Sequence, residues 1–293
     1  MRAYQPTAGI AGNLSIQGGG ASADLAALWA DIFRQYYPEA NVQIDAQAGT
    51  AAASDLGQRD YDLVLMDRPL TQTERQQFMQ QKGFRPVTLR VALGAVAVYV
   101  DQDNPLQHLS LTQLDAIFSS TRRCGEPGDI SQWEQLGLVQ QWQGQEIQLF
   151  GPDAAAGAYD IFRHRTLCDG DFKINLQRLS GEAAVTAAIA GNPFALGFTE
   201  MEAVSAEAKA IAVAVKAEGP FLQPTEENIR SGQYPLSHYL YIYTNHMPNG
   251  GLTPLAREFI KLALSRTGQE VIEGIGYLPL TVRDAQSQLR KLQ

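Results

Sequence analysis

Apolar residues between Ser22 and Tyr36 recur every three or four positions: Leu25, Leu28, Trp29, Ile32, Phe33 and Tyr36. That period predicts an amphipathic helix. It follows a short apolar segment, Leu14 to Ile16, and the glycines Gly18, Gly19 and Gly20. Strand, glycine turn and helix open an α/β unit. Pro38 ends the helix, and Val42 with Ile44, then Asp62 to Met66, read as the next strands. Val87 to Val100 is long, apolar and rich in β-branched residues, as a central or crossing strand is. Asp101 to Pro105 is a turn. Leu111 to Phe118 is a short helix with Ser110 as its cap. Thr121 to Gly144, which holds Trp133 and Trp142, reads as a polar surface excursion.

Further on, Glu146 to Phe150 predicts a strand, Gly151 to Gly157 a loop, and Ala158 to Leu167 a helix. A short helix at Ala183 to Ala190 precedes a strand at Pro193 to Phe198. Tyr239 to Thr244 is strongly strand-like. Thr253 and Pro254 open a helix as cap and first residue, Gly268 to Glu273 is helical, and Gly276 to Leu280 is a terminal strand. Alternating strands and helices predict a mixed α/β protein with largely parallel sheets.

The chain has 293 residues, 45% hydrophobic and 18% charged, which suits two lobes of ordinary size with a real core. Its net charge of −8 argues against a nucleic-acid binder. A small anion is still allowed, because a local cluster of N–H donors decides that. No apolar run approaches a membrane span, so no membrane insertion is expected. Met1 to Asn13 lacks the basic start and apolar core of a signal peptide. The four histidines lack metal-ligand spacing, and neither a metal nor a cofactor is expected. Cys124 and Cys168 are the two cysteines, and they stand either as separate buried thiols or as a pair. An even count in an exported protein favours a disulfide.

Two glycine-containing loops lead into helix N-termini: Gly18 to Ser22 and Gly151 to Ala158. Backbone N–H groups and the helix dipole favour anions there. The same glycines serve equally for turning alone. Arg68 reads either as an anion ligand or as a bridge to Asp67 or another carboxylate. The alternating Tyr239, Tyr241 and Tyr243 read better as one face of a strand than as a ligand platform.

Longer motifs add a resemblance. Gly12-Asn13-Leu14-Ser15, Asp103-Asn104-Pro105, Asp115 to Arg122 (DAIFSSTR), Cys124-Gly125 and Leu167 to Lys173 (LCDGDFK) resemble the phosphate-binding components of ABC transporters. So do Tyr234-Pro235-Leu236, Leu240 to Tyr243, and Gly276 to Leu280 (GYLPL). The likeness runs in order along nearly the whole chain. It implies the two-lobed periplasmic-binding-protein type II fold, with a hinge and a central cleft. The lobes are expected at 1–94 with 217–293, and at 95–216. It also implies a disulfide between Cys124 and Cys168, and a ligand site at Gly18, Gly19, Gly20, Ala21, Ser22, Thr50, Ala51, Asp67, Arg68, Ala156, Gly157 and Ala158. The implied protein is a periplasmic or secreted monomer with its leader removed, working with ABC-transporter membrane subunits, and not an enzyme.

This sequence departs from the family at that site. Family hydroxyls are replaced at Gly19, Ala21, Ala51, Ala154, Ala156 and Ala158, and the arginine of the third loop is Pro152. Thr50, Asp67 and Arg68 remain of the ligand set. One hydrogen bond to a charged group contributes ~1.5–3 kcal/mol. Losing several without replacement costs decades of affinity. Weak binding of phosphate or a related oxyanion is therefore expected. Alternatives are a changed, less charged ligand on the same fold, or a structural or regulatory module without a tight ligand. Against an enzyme, no nucleophile–base pair stands in these loops.

Overall fold

The computed structural model describes residues 1–19, 21–46, 56, 61–125, 128–201, 208–244 and 252–292. The chain begins with β1 (Gly12–Gln17), α1 (Ala21–Tyr36), β2 (Ala40–Asp45), β3 (Leu63–Met66), α2 (Gln72–Lys82) and β4 (Val87–Asp101). There follow β5 (His108–Ser110), α3 (Leu111–Phe118), β6 (Gln148–Pro152), α4 (Gly157–Thr166), β7 (Gln177–Leu179) and α5 (Glu182–Ile189). Then come β8 (Ala195–Glu200), β9 (Ala208–Ala210), β10 (Ala212–Ala214), α6 (Glu226–Arg230) and β11 (Ser237–Thr244). The chain closes with α7 (Pro254–Ala263), α8 (Arg266–Glu270), β12 (Leu278–Pro279) and α9 (Val282–Leu289).

These elements form two compact units: Met1–Leu93 with Tyr239–Gln293, and Gly94–His238. Each unit is mixed α/β, as the alternation of strands and helices predicts. The sequence reading ended the second lobe at 216, and the second unit runs to His238. Val213 and Leu222 exchange backbone hydrogen bonds of 2.9 and 3.0 Å, the Tyr234 hydroxyl donates to the Val96 carbonyl at 3.1 Å, and the Val96 N–H donates to the Leu236 carbonyl at 3.1 Å. Those bonds tie 217–238 to the second unit.

In the first unit, β1 pairs parallel with β2 and β3, and β3 pairs antiparallel with β11. The apolar stripe of α1 packs on α7: Trp29 and Phe33 meet the Phe259 ring edge-on, at 6.3 and 5.4 Å. The Trp29 indole donates to the Gly268 carbonyl at 2.7 Å. A Cβ on Gly268 would fall 2.1 Å from the Leu262 carbonyl oxygen, so the approach of α8 to α7 requires glycine there. The N-terminal segment is strapped to α7 through a buried carboxylate. Glu258 accepts from the Tyr4 hydroxyl at 2.7 Å, the Thr7 hydroxyl at 3.1 Å and the Lys261 ammonium at 2.6 Å. Burial acts to raise the Glu258 pKa. The Lys261 ammonium and the Tyr4 and Thr7 hydroxyls outweigh it and hold the carboxyl below its usual range.

In the second unit, β8 pairs antiparallel with β4 and parallel with β6, and β6 pairs parallel with β7. Phe162 stacks on Phe198 at 3.8 Å, with Phe118 and Phe172 around them. Cys124 and Cys168 are joined by a disulfide, with Cα atoms 5.4 Å apart. It fastens the segment after α3 to the residue following the C-cap of α4. The excursion at 121–144 is less superficial than its polarity suggests. Trp133 and Trp142 are buried edge to face at 5.4 Å, on two short 3-10 turns.

Candidate functional site

The first unit presents its candidate loop at the end of β1. The Gly18 N–H donates to the Asp45 carbonyl at 3.1 Å, and the Ser22 N–H to the Gly19 carbonyl at 3.2 Å. A Cβ on Gly18 would press against the backbone of Ala23 at 3.2 Å, so the glycine fits a turn pulled close to the helix start. Ser22 is fully buried, and its hydroxyl donates to the Asp67 carboxylate. Strand β3 ends one residue before Asp67, which sets Asp67 beside the start of α1. Of the expected ligands, Gly20, Thr50 and Ala51, with the side chain of Ala21, lie outside the described residues.

Arg68 is engaged as a bridge. Its Nη1 and Nη2 donate to the two carboxylate oxygens of Glu74 at 2.9 and 2.8 Å, and Nη1 reaches the Pro69 carbonyl at 3.3 Å. Both side chains of the pair are 19% exposed. Burial tends to raise the Glu74 pKa, but the hydrogen bonds from Arg68 and the Thr71 N–H dominate, and the carboxyl sits below its ordinary value. The sequence did not single out Glu74. The signal was there in Thr71-x-x-Glu74, a capping box that both partners complete in the structure.

The second unit presents its loop at the end of β6. Gly151 and Pro152, read from sequence as loop, belong to the strand, in register with Arg178 and Leu179 of β7. A Cβ at Gly151 would collide with the Phe198 ring at 2.8 Å, which explains the glycine by packing. The Asp153 N–H donates to the Leu179 carbonyl at 3.0 Å, and the Ala156 N–H to the Asp153 carbonyl at 2.9 Å. The Ser180 hydroxyl donates to the Asp153 carboxylate. Ala156 is the N-cap of α4, with φ −79° and ψ 142°, and no side chain caps the helix. Gly157 and Ala158 therefore open a helix whose N-cap residue offers no side-chain acceptor, while the Tyr159 N–H donates to the Ala156 carbonyl at 3.1 Å; such a start is an anion-favouring end. Ala154 and Ala155 are exposed, and Ala158 is buried.

The tyrosine stripe is a strand face. Tyr241 and Tyr243 pack with Val64, Met66, Leu70 and Phe78, and the Arg90 guanidinium lies over the Tyr239 ring at 4.4 Å. Sequence reasoning also missed a buried close approach in the second unit, with His238 Nε2 3.1 Å from Glu200 Oε1. Among the described residues, no three His, Cys, Asp or Glu gather as metal ligands, and no helix is long and apolar enough to cross a membrane.

The PBP superfamily domain matches residues 3–267. The phosphate-binding protein PstS of Pseudomonas aeruginosa is 37% identical over 289 residues, 99% of this chain and 90% of that one. PstS of Staphylococcus aureus is 27% identical over 251 residues, 84% of this chain and 72% of its own. Among solved structures, an ABC-type phosphate transport receptor from Vibrio cholerae superposes with TM-score 0.75 at 24% identity, covering 91% of this chain and all of that one. A possible phosphate binding protein from Planctomyces limnophilus superposes with TM-score 0.77 at 22% identity, covering 97% and 98%. These two likenesses speak for the fold; the Pseudomonas relative, alike along the whole chain, speaks for the family. The chain belongs to the PBP superfamily and, within it, to the PstS family of phosphate-binding proteins.

Proposed function

We propose that this protein is a solute-binding component of an ABC importer that takes up phosphate or a related oxyanion, and that it binds more weakly than relatives with a full hydroxyl set. The observation that carries the reading is the 37% identity to a phosphate-binding protein, along 99% of the chain. The open N-terminus of α4 supports it, because backbone donors survive side-chain changes. Weak binding follows from the donors. Ala154, Ala156 and Ala158 supply no hydroxyl, the Ser22 hydroxyl is given to Asp67, and the Arg68 fork is given to Glu74. A dehydrated dianion would then exchange its water for fewer donors.

The proposed ligand set is Gly18 to Ser22, Thr50 with Ala51, Asp67 with Arg68, and Ala156 to Ala158. In this reading the protein is a binding protein, not a catalyst. It acts as a monomer outside the cytoplasm, with the importer's membrane subunits as partners. Calorimetric titration of ligand-free protein with phosphate, arsenate and sulfate tests it. Phosphate binding in the micromolar range or weaker is the expected result. Submicromolar phosphate binding refutes the weak-site argument, and silence toward every oxyanion at millimolar concentration refutes the assignment.

A further inference from the structure

We propose that Glu74 sets the oxyanion affinity of the first unit, acting as an internal counter-anion on the Arg68 guanidinium. The inference rests on the phosphate-binding reading above. Glu74 is the third residue of α2, and its carboxylate accepts from the Thr71 N–H at 2.7 Å as well as from both terminal nitrogens of Arg68. Two parallel N–H···O bonds to one planar guanidinium form the fork that a phosphate would also use. An anion arriving at Arg68 therefore competes with a carboxylate already seated there. The pair is largely withdrawn from water, at 19% exposure on each side, so its attraction is less screened than that of a surface pair.

The helix start does not require this charge. A capping box needs a side-chain acceptor at that position, and glutamine supplies one as glutamate does. Glutamine already fills Gln72, Gln76, Gln77, Gln80 and Gln81 of the same helix. What glutamate adds is a negative charge delivered to Arg68. Glu74→Gln thus separates the two roles: it keeps the cap and removes the competitor.

The test is calorimetric titration with inorganic phosphate of the wild-type chain, Glu74→Gln, Arg68→Gln and the double variant, with thermal unfolding of each. Glu74→Gln is expected to bind phosphate roughly tenfold tighter or better, the size expected when one charged competitor leaves a fork. The gain should vanish in the double variant. Glu74→Thr, a second neutral substitution, should give a gain of the same sign should the glutamine variant fold poorly. Equal or weaker binding by both neutral variants overturns the inference, because Glu74 would then position Arg68 for the ligand. A gain that persists without Arg68 overturns it too. If the wild type does not bind and Glu74→Gln does, the inference stands and the wild-type function falls. If the wild type binds and neither neutral variant gains, the function stands and the inference falls. Absence of binding in all of them refutes both.

Discussion

Ala156 gives the sharpest test of the second unit. It occupies the N-cap of α4 with extended backbone angles, φ −79° and ψ 142°, and its methyl group makes no cap hydrogen bond. Those angles are the ones at which a serine or aspartate side chain closes onto the second or third helical N–H. Ala156→Ser and Ala156→Asp should therefore both stabilise the free protein. Replacing a polar cap by alanine typically costs ~1 kcal/mol, so the reverse change should contribute about as much. Aspartate should add a further ~0.3–1 kcal/mol through its charge at the helix N-terminus. In a unit of this size, 1 kcal/mol corresponds to roughly 2–4 °C of Tm. Phosphate then separates the two variants. Serine keeps a neutral donor at the helix end, so its binding should match or exceed that of the wild type. Aspartate places a carboxylate where the anion would sit, and binding should fall by at least tenfold. Differential scanning calorimetry without ligand, followed by phosphate titration, reads both. If Ala156→Asp binds phosphate as the wild type does, the N-terminus of α4 is not the anion site. If neither variant gains Tm, the cap geometry has been misread.

Two other predictions follow from the buried carboxylate and the disulfide. Glu258 has a folded pKa below its ordinary value of 4.5, so its stabilisation is complete above that value and is lost as pH falls through the folded pKa. Glu258→Gln should cost ~1–3 kcal/mol at neutral pH and flatten the acid limb of stability, measured by urea unfolding between pH 3 and about 7; an unchanged acid limb refutes this. Cys124→Ser with Cys168→Ser opens a loop with a sequence separation of 44, which by chain entropy should cost ~2–4 kcal/mol of stability in the same unfolding assay. A loss below about 0.5 kcal/mol would show that the reduced chain is already constrained.

The elements most legible in the sequence were those whose burial is written in apolar residues. Leu25, Trp29 and Phe33 of the α1 stripe and most of the continuous run of β4 became core, while Leu28 and Tyr36 of the stripe are exposed. Helix α2 was missed because it buries little: Phe78 is its one buried residue, and its other face is glutamine. Its caps, Thr71 and Gly83, carried the signal that hydrophobic period did not. The attachment of residues near 234 to the second unit was not legible because it runs through bonds distant in sequence, as from the Tyr234 hydroxyl to the Val96 carbonyl. At the site, the loops were legible as loops before helices. Whether Arg68 was ligand or bridge was not, because that depends on Glu74 returning to it across the first turn of α2.

The second unit is one unbroken stretch, Gly94–His238, and in sequence the two parts of the first unit precede and follow it. During synthesis this imposes a wait. Trp29 and Phe33 leave the ribosome early, while Phe259, the ring they pack against, comes more than two hundred residues later. At ordinary elongation rates of about 5–20 residues per second, the apolar face of α1 remains uncovered for roughly ten to forty seconds. The second unit is complete in sequence at His238, shortly before Phe259, so it can begin closing its own core while the α1 face still waits. The half-made first unit is thus the species exposed to aggregation, and substitutions that make the α1 face more apolar should lower yield before they alter the finished protein.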